Sequence, residues 1–312
     1  MATPAIVPDS GAATAIAVGR GNDALQRVTR AVIHNRKATA GLVLLLVISF
    51  VAAFPGLLTR DDPFAAIYDQ QAGSSAAHLL GTTQVGQDVF AQLIWGTRLT
   101  LIITVVVGLL STLLSVLIGV TAGYLGGMTD RVLSLFTDVF LIIPTLPLLI
   151  ILAAYLSGAG TLAIMGALTA TSWAFGARQI RAQGLSLRSR DFLEAARVRG
   201  ERRSYIIVVE ILPTMISLVV ASFLGISVYV VATAAGLQYL GLGTTDQITW
   251  GTMLHDAQQN EALAAGNPLW ALAPGIAVAL LGTAFALLNY AFDEIGNPAL
   301  RPVRRRRAKP AA

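Results

Sequence analysis

The chain has 312 residues, of which 55% are hydrophobic and 12% charged, with a mean hydropathy of +0.68. That charged share is about half of the roughly 25% usual for globular domains, which excludes a soluble fold of ordinary surface. There is no cysteine, so disulfides and thiolate metal sites are excluded, and His34, His78 and His255 lie too far apart for metal-ligand spacing.

Residues 1–25 are rich in Ala, Gly, Thr and Pro and lack apolar periodicity, so a mobile cytoplasmic tail is expected. The stretch 26–37 (QRVTRAVIHNRK) reads as a short basic amphipathic helix, completing an N-terminal segment 1–37. The first apolar run is 38–58. A cleaved signal peptide is the alternative, but the charged stretch before the run is long and the run ends at Phe54-Pro55, not at small residues. An uncleaved first span is therefore expected. Five further spans are placed near 99–122, 132–156, 161–177, 214–236 and 271–293. Each approaches the roughly 20 residues that cross about 30 Å of hydrocarbon. The fourth is short. The fold class is thus all-α: a polytopic membrane protein of six transmembrane helices. No internal repeat is visible in the sequence.

Lys and Arg set the expected topology. The segments 1–37, 123–131, 178–213 and 294–312 carry 5, 1, 8 and 6 basic residues, 20 of the 22 in the chain. The external segments 59–98 and 237–270 carry only Arg60 and Arg98. Positive charge is retained inside, so both termini are expected in the cytoplasm. The net charge of +5 is thereby explained as topology, with no nucleic-acid partner. The basic run 304–307 with Lys309 reads as an anchor near anionic lipid, with specific binding as the alternative. In this scheme a core transmembrane domain spans 99–293, with an internal loop 178–213 and a basic tail 294–312.

The internal loop is too long for a tight turn. Asp191 has the position of a helix cap, with Glu194 three residues later in capping-box spacing. Phe192, Ala195, Ala196 and Arg199 then follow one helical face. Gly200 stands where a left-handed C-cap falls. A second helix is expected from near Ser204 toward Pro213.

These residues carry a resemblance. Glu194-Ala195-Ala196, Gly200 and Ile211-Leu212-Pro213 resemble the EAA loop of binding-protein-dependent ABC importer permeases. The resemblance covers residues 40–300. His78-Leu79-Leu80-Gly81-Thr82-Thr83-Gln84-Val85-Gly86-Gln87-Asp88-Val89 is similar to the HPLGTDxxGRDV segment of the dipeptide, oligopeptide and nickel permeases. Ala122-Gly123-Tyr124-Leu125-Gly126-Gly127 with Asp130, Leu240-Gly241-Leu242-Gly243, Trp250-Gly251-Thr252-Met253-Leu254 and Ala273-Pro274-Gly275 match further motifs of that group. The resemblance implies the type I importer permease fold and a C-type subunit in a bacterial inner membrane. It implies as partners a homologous B-type permease, two cytoplasmic ABC ATPases, an external substrate-binding protein and the bilayer. Asp191, Phe192, Glu194, Ala195, Ala196, Arg199 and Gly200 would then form the helix that docks on an ATPase. Cargo would be dipeptides or oligopeptides, with nickel or another small solute as the alternative. The chain departs from the pattern at Thr83, Gln87, Glu210 and Asn289-Tyr290, and again at Asp293-Glu294 and Asn297-Pro298.

Asp138 falls about two turns into the third span. An ionisable residue at depth is a candidate for the transport path, and its alternative role is structural, pairing with an arginine of the loop. Trp173, Trp250 and Trp270 are expected at membrane interfaces, with substrate stacking as the alternative. The sequence has no G-x-x-x-x-G-K-[ST] loop, so no cofactor is expected in this chain and ATP would be bound by partner ATPases. No nucleophile or paired-carboxylate constellation lies within a span, so no catalytic residue is assigned. Two rival classes remain: an ion-coupled secondary transporter, which needs acidic or polar groups at mid-membrane, and a structural or signalling membrane protein without substrate flux.

Overall fold

The computed structural model describes residues 35–155, 160–242 and 246–296, with side chains as far as residue 292. The expected N-terminal tail to residue 34, Gly243, Asn297-Pro298 and the basic run 304–307 lie outside the described residues. No strand longer than an isolated bridge occurs among the described residues.

α1 (Arg36–Ala53) begins where the Asn35 side chain accepts the Lys37 N–H at 3.0 Å. α2 (Val89–Leu125) is capped by Asp88, whose Oδ1 accepts the Ala91 N–H at 2.7 Å. Its 37 residues reach roughly 55 Å at 1.5 Å each, well beyond the hydrocarbon. Residues 89–98, expected in an external segment, therefore belong to this helix. The chain reverses at Gly126 and Gly127 into α3 (Gly127–Ile142), followed by α4 (Thr145–Tyr155) and α5 (Thr161–Leu187). The third expected span is thus broken: α3 and α4 meet at 85° across Ile143 and Pro144. Proline supplies no N–H and disfavours helical geometry in the residue before it.

α6 (Asp191–Val198) lies apart as a short helix. From Arg203 the chain then stays helical as far as Leu240, and Gly241 breaks the run at φ +81°. Around Pro213 it is not uniformly α: a wide π turn over Ile206–Ile211 runs into a tight 3₁₀ turn over Leu212–Met215. These local changes of pitch accommodate the hydrogen bond that Pro213 cannot make. α7 (Ile216–Leu237) follows, then α8 (Trp250–Gln259) and α9 (Pro268–Gly296).

Among the described residues, four helical runs are long and apolar enough to cross a membrane: α1, α2, Arg203–Leu242 and α9. The bent pair α3–α4 makes a fifth. α5, at the fourth expected span, has 27 residues and ample length, but its mean hydropathy falls short. It packs along α2, where Gly123 and Gly184 meet backbone to backbone: a Cβ on Gly123 would stand 2.7 Å from the Arg181 carbonyl oxygen. Ser115 adds an interhelical bond, its Oγ donating to the Trp173 carbonyl at 2.6 Å. Small residues permit this approach, and helix association in lipid depends on it.

Four buried clusters form the core of the described residues, the smallest being Trp173, Ala174 and Ala177. One joins Val89, Trp250, Met253, Trp270 and Phe285. A second joins Ile103, Leu149, Leu168 and Val230. A third, beneath the loop 188–202, joins Val120, Tyr124, Ile180, Ile206 and Met215. Trp173, Trp250 and Trp270 are all buried in protein, so the expected lipid-facing aromatic belt is not where they sit. Trp173 lies against Phe136 and Phe140, and Trp250 donates from Nε1 to the Leu93 carbonyl.

The segment 59–88 folds over the N-terminal end of α2. Asp88 Oδ2 lies 2.7 Å from His78 Nδ1, and the His78 ring packs on Tyr68. Asn267 donates from Nδ2 to the Thr82 carbonyl, tying this cover to the loop before α9. The departures at Thr83 and Gln87 form neutral contacts here. Thr83 Oγ1 accepts the Gln87 N–H, and the Gln87 side chain bridges the Phe64 carbonyl and Gln92.

Candidate coupling site

The basic loop after α5 supplies a discrete helix packed onto the bundle. α6 starts after Arg190, whose side chain makes no cap, so the capping box expected from Asp191 and Glu194 does not form. Asp191 is already the first helical residue, and Glu194 lies in the same first turn. Both carboxylates still complement the partial positive charge at the helix N-terminus. The C-terminus closes as the glycine spacing predicts. Gly200 has φ +76°, its N–H donates to the Arg197 carbonyl at 3.0 Å, and the Glu201 N–H donates to the Ala196 carbonyl at 3.2 Å. These two bonds form a complete Schellman cap.

Leu193 and Ala196 are fully buried against Val120, Tyr124, Ile206 and Met215. The face predicted as Phe192, Ala195, Ala196 and Arg199 is therefore split. Ala196 points into the protein's own core, while Asp191, Phe192, Glu194, Ala195, Arg199 and Gly200 are exposed. Val198, at 89% exposure, completes an outward apolar patch with Phe192 and Ala195. Burying Leu193 stabilises the mount by about 1.5–3 kcal/mol.

Arginines of the loop fix the helix instead of simply facing water. The Arg197 guanidinium sits 5.5 Å over the Tyr124 ring, and its Nη2 donates to the Arg188 carbonyl at 3.0 Å. Arg199 bridges Glu201 at 2.8 Å and Glu210 at 3.4 Å. The departure at Glu210 thus makes a charge contact with the end of α6. Farther along, α3 is laced to α5 by two ion pairs. Arg181 binds Asp130 bidentately, Nε to Oδ1 at 2.5 Å and Nη2 to Oδ2 at 2.9 Å. Arg178 Nη2 donates to Asp138 Oδ1 at 2.6 Å. Asp138 is thus paired, in an exposed contact.

The sequence reading missed Leu193, Arg197, Val198 and Tyr124. Leu193 and Ala196 show an i, i+3 spacing, but Phe192, Ala195 and Arg199 make an equally good stripe. The choice between them is made by what packs beneath. No group of His, Cys, Asp or Glu suited to a metal occurs among the described residues.

Residues 115–295 match the family described as binding-protein-dependent transport system inner membrane component. The glutathione transport system permease GsiD of Pectobacterium atrosepticum is 32% identical over 270 residues, covering 84% of this chain and 86% of the relative. The oligopeptide permease OppC of Escherichia coli is 33% identical over 240 residues, 76% of this chain and 79% of that protein. The dipeptide permease DppC of Escherichia coli is 34% identical over 279 residues, 86% and 91% respectively. An inward-facing structure of the MetNI methionine ABC transporter shares the fold at a TM-score of 0.53 and 20% identity, covering 67% of this chain and 97% of that one. This chain belongs to the family of binding-protein-dependent transport system inner-membrane components.

Proposed function

We propose that this chain is the C-type permease of a peptide importer, forming half of the translocation pathway with a homologous B-type permease. The observation that carries the reading is α6. It is an amphipathic helix buried on one side against its own bundle and open on the other, with an apolar patch of Phe192, Ala195 and Val198. A helix mounted in this way transmits a push to the spans as a rigid body, because packed elements shift in discrete steps rather than deform. In this reading α6 seats in a groove on one of two cytoplasmic ATPases, which bind the ATP. The face with residues 59–88 and 246–267 meets an external substrate-binding protein. Both termini are cytoplasmic, in agreement with the arginine distribution of the internal loop. Peptide cargo is supported by the names of the relatives, which include glutathione, oligopeptide and dipeptide permeases.

The test is Ala195→Trp. Residue 195 is exposed, so the bulky ring leaves the chain's own packing intact and blocks only a docked partner. Peptide uptake should fall by tenfold or more, about 1.4 kcal/mol of lost coupling, while the protein still inserts. Co-purification of the ATPases should weaken in parallel. Wild-type uptake and wild-type ATPase recovery from this variant would show that α6 is not the docking helix.

A further inference from the structure

A recess with both polar and aromatic walls lies away from the coupling helix. A cavity of about 420 Å³ opens between the α3–α4 break, α5, α7 and α9. That volume falls within the roughly 300–1,000 Å³ of small-ligand sites. None of its lining residues carries a charge at neutral pH. The wall is mixed: Phe140, Phe175 and Tyr229 supply rings, and Ser172, Ser222 and Asn289 supply polar atoms.

Two independent features bear on what fills this recess. Ser172 Oγ, Ser222 Oγ and Asn289 Oδ1 are buried without a hydrogen-bond partner, and Ser172 and Ser222 are only 9% and 7% exposed. Buried polar groups without partners are unfavourable and call for a ligand or water. The 85° break lies on the rim, with Phe140, Leu141 and Thr145 lining the cavity on either side of it. Helix ends expose unpaired carbonyls. At membrane depth such backbone is tolerated only inside protein or beside a water-filled cavity.

We propose that this cavity is a cargo-contact site in which Ser172, Ser222 and Asn289 hydrogen-bond the amide groups of a peptide while Phe140, Phe175 and Tyr229 pack on an uncharged side chain. The proposal rests on the peptide-importer reading. Its chemistry is that of a neutral slot. Amide and hydroxyl groups hold a peptide bond, and the absence of fixed charge keeps a zwitterion from being trapped in transit. Asn289 is a selectivity position, because it is the residue at which one added charge changes the field of the whole slot.

The experiment uses the full transport complex in membranes and compares uptake of trialanine, trilysine and triglutamate. In Asn289→Asp the uptake ratio of trilysine to triglutamate should rise about tenfold, and in Asn289→Lys it should fall by a similar factor. An unchanged ratio in both, with trialanine uptake retained, overturns the site. A wild-type complex that takes up no peptide overturns the importer reading and the site together. The cysteine-free sequence offers a second measurement that does not depend on those variants. In Thr171→Cys and Asn289→Cys the single thiol should react with a cationic, water-soluble methanethiosulfonate, and trialanine with ATP should slow the reaction. Leu46→Cys, on the exposed face of α1, should show no such protection. Thiols at 171 and 289 that never react would mean that lipid or a partner helix fills the recess, and would overturn the proposal.

Discussion

At residue scale, Gly200 and Asp130 bear the most specific roles. Gly200 holds φ +76° with no atom within 4 Å of where a Cβ would stand. A side chain there meets open space, so the cost of substitution is backbone strain alone. Gly200→Val should destabilise the cap by about 1–3 kcal/mol. It should loosen α6 and lower uptake, and Gly200→Asn, which tolerates positive φ better, should retain most of it. Equal loss in both variants, measured at matched expression, would point to steric exclusion of a partner and not to the cap. Asp130 accepts two hydrogen bonds from Arg181 and one from Ser134. Asp130→Asn should lower the thermal midpoint of the detergent-solubilised chain, reflecting about 1.5–3 kcal/mol for charged hydrogen bonds. The charge swap Asp130→Arg with Arg181→Asp should recover part of that loss. A midpoint unmoved by Asp130→Asn would remove the pair from the account of stability.

At the scale of elements, α6 is only eight residues long and depends on its mount. Isolated helices shorter than about 12 residues are marginal in water. Leu193→Ala removes the largest side chain anchoring it and should cost about 2–5 kcal/mol locally. The expected result is faster proteolysis between α5 and the helical run beginning at Arg203, with the spans still inserted. Unchanged cleavage would mean that Arg197 over Tyr124 and the Schellman cap suffice to hold α6. The glycine turn and the helix were legible in the sequence, because glycine at a helix end has one dominant conformational use. The inward face was not. Two stripes of equal quality share this short helix, and only the cluster of Val120, Ile206 and Met215 beneath it selects Leu193 and Ala196.

At the scale of the whole molecule, the α2–α5 contact organises the bundle. Gly123 faces Gly184 and the Arg181 carbonyl at backbone distance. Gly123→Leu cannot be accommodated by a side-chain rotation, because the obstructing atoms are backbone. Overpacking of this kind costs about 1–3 kcal/mol or more. The variant should separate the helices and reduce the yield of the folded chain in mild detergent. Wild-type yield and thermal stability would show that α2 and α5 slide past one another freely. The same variant should also disturb Asp130–Arg181, which sits one turn away on α5. This contact joins α2, whose Val120 and Tyr124 pack beneath α6, to α5, which supplies one wall of the cavity.

The sequence by itself determined that the chain spans a membrane several times, which loops are basic, where a short internal helix ends in glycine, and which family motifs it carries. These follow from composition, charge and local backbone chemistry, all of which act over a few neighbouring residues. The break at Ile143-Pro144, the extension of α2 beyond the hydrocarbon, the burial of Trp173, Trp250 and Trp270, and the inward turn of Ala196 were decided by tertiary structure. So was the meeting of Ser172, Ser222 and Asn289 around one cavity. Those outcomes depend on which distant helices pack together, and in lipid that choice is made by close fit between small residues rather than by hydrophobic pattern, which is nearly uniform along every span.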